Sequence, residues 1–423
     1  MSKNFSQDFF SKFLFFIIIF ILGIGIGTNL LSKNQTQILQ AEKNTPHAFV
    51  AEVYDKILEN YWDNLSDAQL LELFKQSMET NGDAVQFSKL DKKEKLLATI
   101  LNTSKNMEET KRNQFIASVT NTVLASLNPL NRSGLYTEKQ EEQLKNTVNN
   151  VNPDKDLYKD LGVSKESTAG AIAKAYQEKI KTEKDPEKLK KLTYANDVLS
   201  KEDTKTRYTQ GGVEPTIFAK IISPGILYLQ FKKFSPTSYD EFVKAFEAFK
   251  NNSDLKSLVF DLRGNIGGAI DSTSYFLGNF IGKNQYAFDF YHKGEYLPFK
   301  TPTDKLPSIS KYKQVVILVD NQTQSSAEIM AASLKKYRVG VVLGVPTKGW
   351  GTVEKVFPID NQFDKANKYS LFLVHSITLR DDNLPIEGRG VEPDINIKST
   401  NWQQQLFSYF MNQPLANAVK SLY

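Results

Sequence analysis

The spacing of apolar residues changes several times between residues 314 and 354. A short apolar run predicts a buried strand, because it is too short for a helix. Beyond a polar, turn-prone stretch, apolar side chains return at helical spacing, at Met330, Leu334 and Tyr337. A second apolar run and a glycine-containing turn follow. The pattern predicts a strand at 315–319, a turn at 321–324, a helix after Ser326, a strand at 339–343 and a turn at 346–351.

The preceding segments show both helical and strand-like patterns. From residue 47 to about 137 the apolar period is helical, and it is helical again at 153–212, where two amphipathic segments face each other across a charged loop. Farther along, short apolar runs predict strands at 226–229 and 258–262 and an intervening helix at 238–249. We therefore expect a helical first part and a mixed α/β second part.

Residues 13–31 form a charge-free run rich in Phe, Ile and Leu, long enough to cross the roughly 30 Å apolar layer of a bilayer. The run is longer than the core of a usual signal peptide, and no small-residue cleavage site follows it. We predict an uncleaved single-pass anchor, against the alternatives of a cleaved signal peptide or a buried helix. Lys3 and Lys12 favour a cytoplasmic N-terminus, so the rest of the chain would lie on the extracytoplasmic side of the cell membrane.

Composition excludes several classes of chemistry. The chain of 423 residues has no cysteine, so disulfides, thiolate zinc sites and a cysteine nucleophile are excluded. Its histidines, His47, His292 and His375, show no metal-type spacing, so we expect no metal and no cofactor. His375 lies in a strand-like run and is expected to be a packed residue rather than a base. The net charge of +5 comes without a basic block, so we expect no nucleic-acid partner.

The turn before the predicted helix carries Ser325 and Ser326. A serine at a helix N-terminus commonly caps the helix. The unpaired N–H groups of the first turn can also stabilise an oxyanion, as a serine nucleophile requires. The pattern alone leaves both interpretations open and favours the cap.

Motifs around this turn resemble those of the tail-specific, or C-terminal processing, serine peptidases (family S41), which use a Ser–Lys dyad. Residues 325–329 (SSAEI) are similar to the family's S-A-S-E-I, residues 261–268 (DLRGNIGG) to its D-L-R-x-N-x-G-G, and residues 384–394 to its I-x-G-x-G-I-x-P-D ending. The resemblance implies an α/β (α+β) peptidase core of the tail-specific protease/crotonase-like type. It also implies that Ser325 is the nucleophile and that backbone N–H groups of Gly267 and Ser326 hold the oxyanion.

The turn at 346–351 departs from the family pattern P-T-F-G-K-G-x-V-Q. Trp350 stands at the lysine position and Glu354 at the position of the assisting glutamine. Because indole cannot accept a proton, Lys348, two residues earlier, becomes the candidate base. A lysine acts as a base when desolvation lowers its pKa, whereas a carboxylate such as that of Glu354 beside it would hold it protonated. A lysine stem can span much of the roughly 7 Å between residues i and i+2 of an extended segment.

The PDZ domain of the family is not recognisable between residues 138 and 212. Segments at 157–164, 172–176, 194–200 and 207–208 instead resemble the J-domain of Hsp70 co-chaperones. The loop that carries a His-Pro-Asp motif in J-domains has Lys184-Asp185-Pro186 here, so Hsp70 is not an expected partner. We interpret the segment as a structural or binding insert.

The expected organisation is a cytoplasmic tail, an anchor, a helical region, the J-domain-like insert, the peptidase core and a helical tail, at residues 1–12, 13–31, 47–140, 153–212, 214–400 and 401–423. Three functions remain open. The first is a membrane-anchored serine endopeptidase that uses Ser325 and Lys348 on a polypeptide substrate, acting near its C-terminal region. The second is a catalytically inactive relative that binds or scaffolds peptides. The third is an assembly protein in which the helical insert dominates.

Overall fold

The computed structural model describes residues 43–81, 90–380 and 382–423. The predicted cytoplasmic tail and the anchor at 13–31 lie outside these residues. Among the helices of the described ranges, none combines the length and the apolar character that crossing a membrane requires.

The first helices pack around one apolar cluster that includes Phe49, Phe74 and Ile116. Helices α1 to α4 span Pro46–Asn60, Asp67–Asn81, Lys93–Ser104 and Glu109–Ser126. The predicted helical period is thus confirmed up to Ser126. Its extension to residue 137 is wrong, because Gly134–Thr137 is strand β1, and Tyr136 stacks on Phe372 of a neighbouring strand with ring centroids 4.5 Å apart.

Residues 138–212, which the structure describes in full, form helices and no strand. Helices α5 to α9 span Glu138–Val148, Leu157–Leu161, Ala169–Thr182, Pro186–Leu199 and Glu202–Gly211. Ile172 of α7 packs with Leu192 and Leu199 of α8, which confirms the predicted hairpin. Asp185 caps α8 by accepting hydrogen bonds from two backbone N–H groups, and Pro186 takes the first helical position. Asp185 and Pro186 of the loop tripeptide therefore form the N-terminus of α8.

A six-stranded sheet forms the centre of the second half. Its strands are Ile217–Ser223 (β2), Ile226–Phe231 (β3), Ser257–Asp261 (β4), Gln314–Val319 (β7), Val341–Gly344 (β8) and Ile395–Asn396 (β11). They lie in the order β11-β8-β7-β4-β3-β2; β2 runs antiparallel to β3, and the other neighbours are parallel. The predicted strands at 226–229, 258–262, 315–319 and 339–343 are confirmed within a few residues.

Helices cover both faces of this sheet, as a near-continuous apolar strand such as β7 requires. Val315 and Ile317 face one apolar cluster, and Val316 and Leu318 face another. The remaining helices are Ser238–Ala248 (α10), Thr273–Ile281 (α11), Pro307–Ser310 (α12), Ser326–Lys336 (α13), Trp402–Phe410 (α14) and Gln413–Lys420 (α15). The first face is covered by α10, α11 and α13, and the second by α14 and α15.

A second, five-stranded sheet joins the N-terminal helices to the core. Strand β10 is its centre, since β10 pairs antiparallel with β1, β5 and β9, and β5 pairs with β6. The new strands are Tyr286–His292 (β5), Glu295–Lys300 (β6), Thr352–Pro358 (β9) and Tyr369–Leu379 (β10). The turn that precedes β9 thereby stands between the two sheets.

Candidate active site

Three turns meet at the carboxyl ends of the parallel strands β4, β7 and β8, the edge where α/β sheets commonly bind ligands. Gln324 N donates to the carbonyl of Asn265 at 2.9 Å, and Lys348 N donates to the carbonyl of Thr323 at 3.0 Å. The Thr323 hydroxyl donates to the carbonyl of Leu262 at 2.9 Å. These bonds bring the glycine turn, the serine turn and the turn before β9 to one place.

Ser325 stands at the start of α13 with a φ of +56° and a ψ of −126°. A non-glycine residue in this region stores about 1–3 kcal/mol of backbone strain, which the surrounding contacts must hold. Such a strained strand-to-helix turn is also how a serine nucleophile is presented in other hydrolases. The backbone N–H of Ser325 donates to Glu328 Oε2 at 2.8 Å, so the first turn of the helix fixes the strained residue.

Glu328 is a fully buried carboxylate that links the serine turn to the turn before β9. Besides the Ser325 N–H, it accepts the Thr347 hydroxyl, the Gly349 N–H at 2.7 Å and the Trp350 N–H at 2.8 Å. Burial raises the pKa of Glu328, and these hydrogen bonds oppose that shift. Four donors around one carboxylate make the relative position of the two turns rigid.

Gly267 is packed directly against the serine turn. With a φ of +81°, a Cβ on this residue would lie 2.6 Å from Ser325 Cβ and 3.0 Å from Ser326 N. The Gly267 N–H, the expected oxyanion donor, donates to Asn265 Oδ1 at 2.8 Å in a side-chain turn, so it is already hydrogen-bonded in this structure.

Two backbone N–H groups in the serine turn and the glycine turn remain available as donors. Within the described residues, the N–H groups of Ser326 and Gly268 donate no hydrogen bond. Ser326 N is the first N–H of α13, where the helix dipole favours negative charge. The Ser326 hydroxyl makes a separate contact, because it donates to the carbonyl of Gly268 at 3.2 Å.

Lys348 differs from the desolvated base that the sequence suggested. The residue is exposed, and its Nζ lies 5.4 Å from the centroid of the Trp350 ring. In the part of the chain that the structure describes, its side chain makes no hydrogen bond to Ser325 and no ion pair with Glu354. The side chain of Lys348 therefore lies exposed to solvent, outside the hydrogen bonds that hold Glu354.

A hydrogen bond joins the side chains of Trp350 and Glu354, which stand at the family's lysine and glutamine positions. The indole Nε1–H donates to Glu354 Oε1 at 3.1 Å, and the Thr352 hydroxyl donates to the same oxygen. Burial raises the pKa of Glu354. The Arg132 guanidinium lies 3.3 Å from the centroid of the Trp350 ring and pairs with Glu387 at 3.0 Å. The N-terminal helical region thus places the positive charge of Arg132 on the Trp350 ring, where the guanidinium stacks.

The histidines play no part in this site. His292 and His375 stack with ring centroids 4.3 Å apart, which their sequence separation did not indicate. Burial and the neighbouring Lys355 lower the pKa of His375 to about 4. Its Nε2 lies 3.3 Å from Lys355 Nζ, which agrees with a packed strand residue. Among the described residues, no three His, Asp or Glu side chains are placed to hold a metal ion.

The close packing of Gly267 against Ser325 gives a prediction, and Gly264 serves as its control. Gly267→Ala should cost about 2 kcal/mol or more of stability, since positive-φ strain of about 1–2 kcal/mol adds to the clash with Ser325. We expect it to abolish labelling of Ser325 by a fluorophosphonate. Gly264→Ala has a similar φ of +68° but no atom within 4 Å of its Cβ, so it should cost the strain alone and keep the labelling. Urea denaturation and intact mass measure both; equal loss of labelling in the two variants would contradict the packing argument.

Sequence reasoning missed two residues of this site. Glu328 was visible as the last residue of an S-x-x-E capping pattern, in which the glutamate reaches back to the N-cap N–H. Arg132 gave no local signal, because it lies more than two hundred residues before Trp350 and only the folded chain brings them together.

Comparison with known proteins gives a family match for part of the chain. Residues 225–397 match the model of Peptidase family S41. A carboxy-terminal processing protease of Bacillus subtilis, CtpB, is 28% identical over 192 residues, which cover 44% of this chain and 38% of the relative. A carboxy-terminal-processing protease of Bartonella bacilliformis is 23% identical over 175 residues, which cover 40% of this chain and 38% of the relative. The chain therefore matches less than half the length of either relative.

A solved structure extends the likeness in fold. The photosystem II D1 C-terminal processing protease superposes with a TM-score of 0.50 at 14% identity, over 83% of this chain and 93% of that one. The family match over residues 225–397, the three motifs and the fold agree, and they support peptidase family S41 for this part of the chain.

Proposed function

We propose that the chain is a serine endopeptidase of the C-terminal processing type, which cleaves polypeptides through an acyl-enzyme on Ser325. The observation that carries the proposal is the backbone of Ser325, strained at the start of α13 with the unpaired N–H of Ser326 beside it. Relatives named as carboxy-terminal processing proteases support the reaction class and a polypeptide substrate.

The reaction follows from these groups. Ser325 Oγ attacks the scissile carbonyl carbon while a base takes the hydroxyl proton, and the carbonyl oxygen becomes an oxyanion. The N–H of Ser326 donates to that oxygen, with the N–H of Gly268 as the second donor. Collapse of the intermediate releases the amine with the proton from the base, and water then hydrolyses the ester on Ser325.

Lys348 is the amine that we assign as the base. It is exposed without a substrate, so a polypeptide lying along the turn before β9 would have to cover it and exclude water from its ammonium. This requirement makes deprotonation depend on binding, so we expect slow turnover on small ester substrates and faster turnover on polypeptides.

Incubation with an unfolded protein tests the proposal, with new termini read by mass spectrometry. Peptide-bond cleavage that is lost in Ser325→Ala supports it. No cleavage of any unfolded protein by a well-folded chain contradicts it.

A second function is favoured by the hydrogen bond between Trp350 and Glu354. These side chains fill the two positions where the family places its base and assisting group. The indole of Trp350 is a donor only and cannot accept the serine proton, and Glu354 Oε1 already accepts two hydrogen bonds. The protein would then be a catalytically inactive relative that keeps the peptide groove for binding or scaffolding. Binding of an unfolded polypeptide with no cleavage and no labelling of Ser325 distinguishes this function from the first.

We propose that residues 13–31 anchor the chain in the cell membrane, with the peptidase part on the extracytoplasmic side. The support is the charge-free apolar composition of this segment. N-terminal sequencing of the protein extracted from membranes should find a chain that still contains residues 13–31. A mature chain starting near residue 32 would contradict the anchor and identify a signal peptide.

We also propose that helices α6 to α9 form a structural or binding insert that does not stimulate Hsp70. The support is the sequence Lys184-Asp185-Pro186 at the place of the His-Pro-Asp motif, where Asp185 is used to cap α8. The likeness to a J-domain stays a resemblance of pattern and helix order.

A further inference from the structure

A cleft of about 480 Å³ lies between helix α8 of the insert and the face of strands β2 and β3 that carries Tyr228 and Gln230. Its volume is in the range of small-molecule sites. Lysines come from both sides: Lys190 and Lys201 from the insert, and Lys220 and Lys232 from the strand side. Asp197 is the single carboxylate among the lining residues. The lining therefore carries a clear excess of positive charge in a confined space.

Among these lysines, Lys232 has the surroundings that most directly favour a bound anion. It is half-buried, and its Nζ lies 4.3 Å from the centroid of Tyr194 and 4.6 Å from that of Phe218. No ion pair joins Lys232 to a carboxylate in the described ranges. The nearby Glu214 is already bonded to Lys155, at 2.8 Å, and to the Tyr194 hydroxyl.

This environment is unfavourable for an ammonium that stays without an anion. Burial, followed by the neighbouring Lys155, lowers the pKa of Lys232 to about 8, although the charges of Glu214 and Asp197 act in the opposite direction. Ring faces offer a cation some compensation. An anion placed against Lys232 in this half-open cleft would give it a direct partner through a strong, charge-assisted hydrogen bond.

The rim of the cleft can add further contacts. Lys190, Lys201 and Lys220 are exposed, so their flexible stems can turn toward a ligand, and Lys220 Nζ lies 5.8 Å from the centroid of Tyr228. One half-buried and three exposed ammonium groups suit a ligand with more than one negative charge better than a single carboxylate.

We propose that this lysine cleft binds a small, multiply charged oxyanion, a phosphate ester or a polycarboxylate, between the insert and the sheet. The site is separate from Ser325, and it gives the insert a role in ligand binding that does not depend on the peptidase reaction.

Isothermal titration calorimetry of the purified full chain tests the proposal, with pyrophosphate as the phosphate probe and citrate as the carboxylate probe. We expect one ligand per chain for at least one probe, and the tighter probe identifies the source of the oxyanion. Lys232→Gln should weaken that binding about tenfold or more. The matched control, Lys283→Gln, removes an exposed lysine in the turn between α11 and β5 and should bind like the wild type.

Two further variants keep the test decisive. If Lys232→Gln unfolds, as circular dichroism would show, Lys220→Gln at the rim should still weaken binding severalfold. Ser325→Ala should bind like the wild type, so loss of peptidase activity and loss of this site are separable. The proposal is overturned if neither probe binds, or if both cleft variants fold and bind as tightly as Lys283→Gln.

Discussion

Replacing Ser325 by alanine is expected to abolish peptide-bond cleavage, with a loss of at least about a thousandfold, because the acyl-enzyme then has no atom on which to form. The fold should be unchanged, since the Ser325 N–H keeps its bond to Glu328 in the variant. Cleavage rates on an unfolded polypeptide and thermal unfolding curves measure the two quantities. Cleavage that persists in Ser325→Ala would show that the serine turn is not the reactive site.

Two neighbouring variants act as controls for this result. Ser326→Ala removes a hydroxyl that contacts the Gly268 carbonyl but keeps the backbone N–H, so most of the activity should remain. Lys348→Ala should also abolish turnover if Lys348 is the base. Full activity in Lys348→Ala would exclude it.

Trp350→Lys is expected to raise the cleavage rate about a hundredfold, because it restores an amine at the position from which the family's base acts, and general base catalysis is worth about that much or more. The new ammonium would stand near the Arg132 guanidinium, which now lies 3.3 Å from the tryptophan ring centroid. A like charge lowers the pKa of a lysine and so favours the neutral base. Glu354 acts in the opposite direction, so Trp350→Lys combined with Glu354→Gln should be faster still.

The matched control for this gain is Trp350→Met. It also removes the ring and its stacking on Arg132, but it supplies no amine, so its cleavage rate should stay near that of the wild type. An equal gain in Trp350→Met would mean that the tryptophan only obstructs the groove. A gain in neither variant would contradict the assignment of position 350 as the place of the base.

Local pattern was sufficient to predict the framework of the site. The apolar run at 315–319, the helical period after Ser326 and the glycines at 267 and 268 each report a conformation that the residue and its immediate neighbours determine. Strand β7, helix α13 and the tight turn against Ser325 follow from them. Strand β1 at Gly134–Thr137 was missed because a short strand in a helical region is formed by pairing with β10, which lies far away in sequence.

The chemistry of the site depended on contacts between distant residues and was predicted less well. Burial of Lys348 could not be read from its sequence position, and its exposure removes the desolvation that was expected of it. The Gly267 N–H was assigned as an oxyanion donor by analogy with the family. In the structure it donates instead to the side chain of Asn265, two residues earlier. The stacking of Arg132 on Trp350 and of His292 on His375 appears only when the chain is folded.

The central claim is that the serine turn activates Ser325 for acyl transfer, and covalent labelling tests it most directly. The purified wild-type chain is treated with a fluorophosphonate in the presence of an unfolded polypeptide, and the adduct is located by mass spectrometry. We expect one adduct, on Ser325, that is absent from Ser325→Ala and from Gly267→Ala but present in Gly264→Ala. A wild-type chain that binds the polypeptide and never labels, while Trp350→Lys labels at Ser325, would contradict the claim and identify a peptide-binding relative without catalysis.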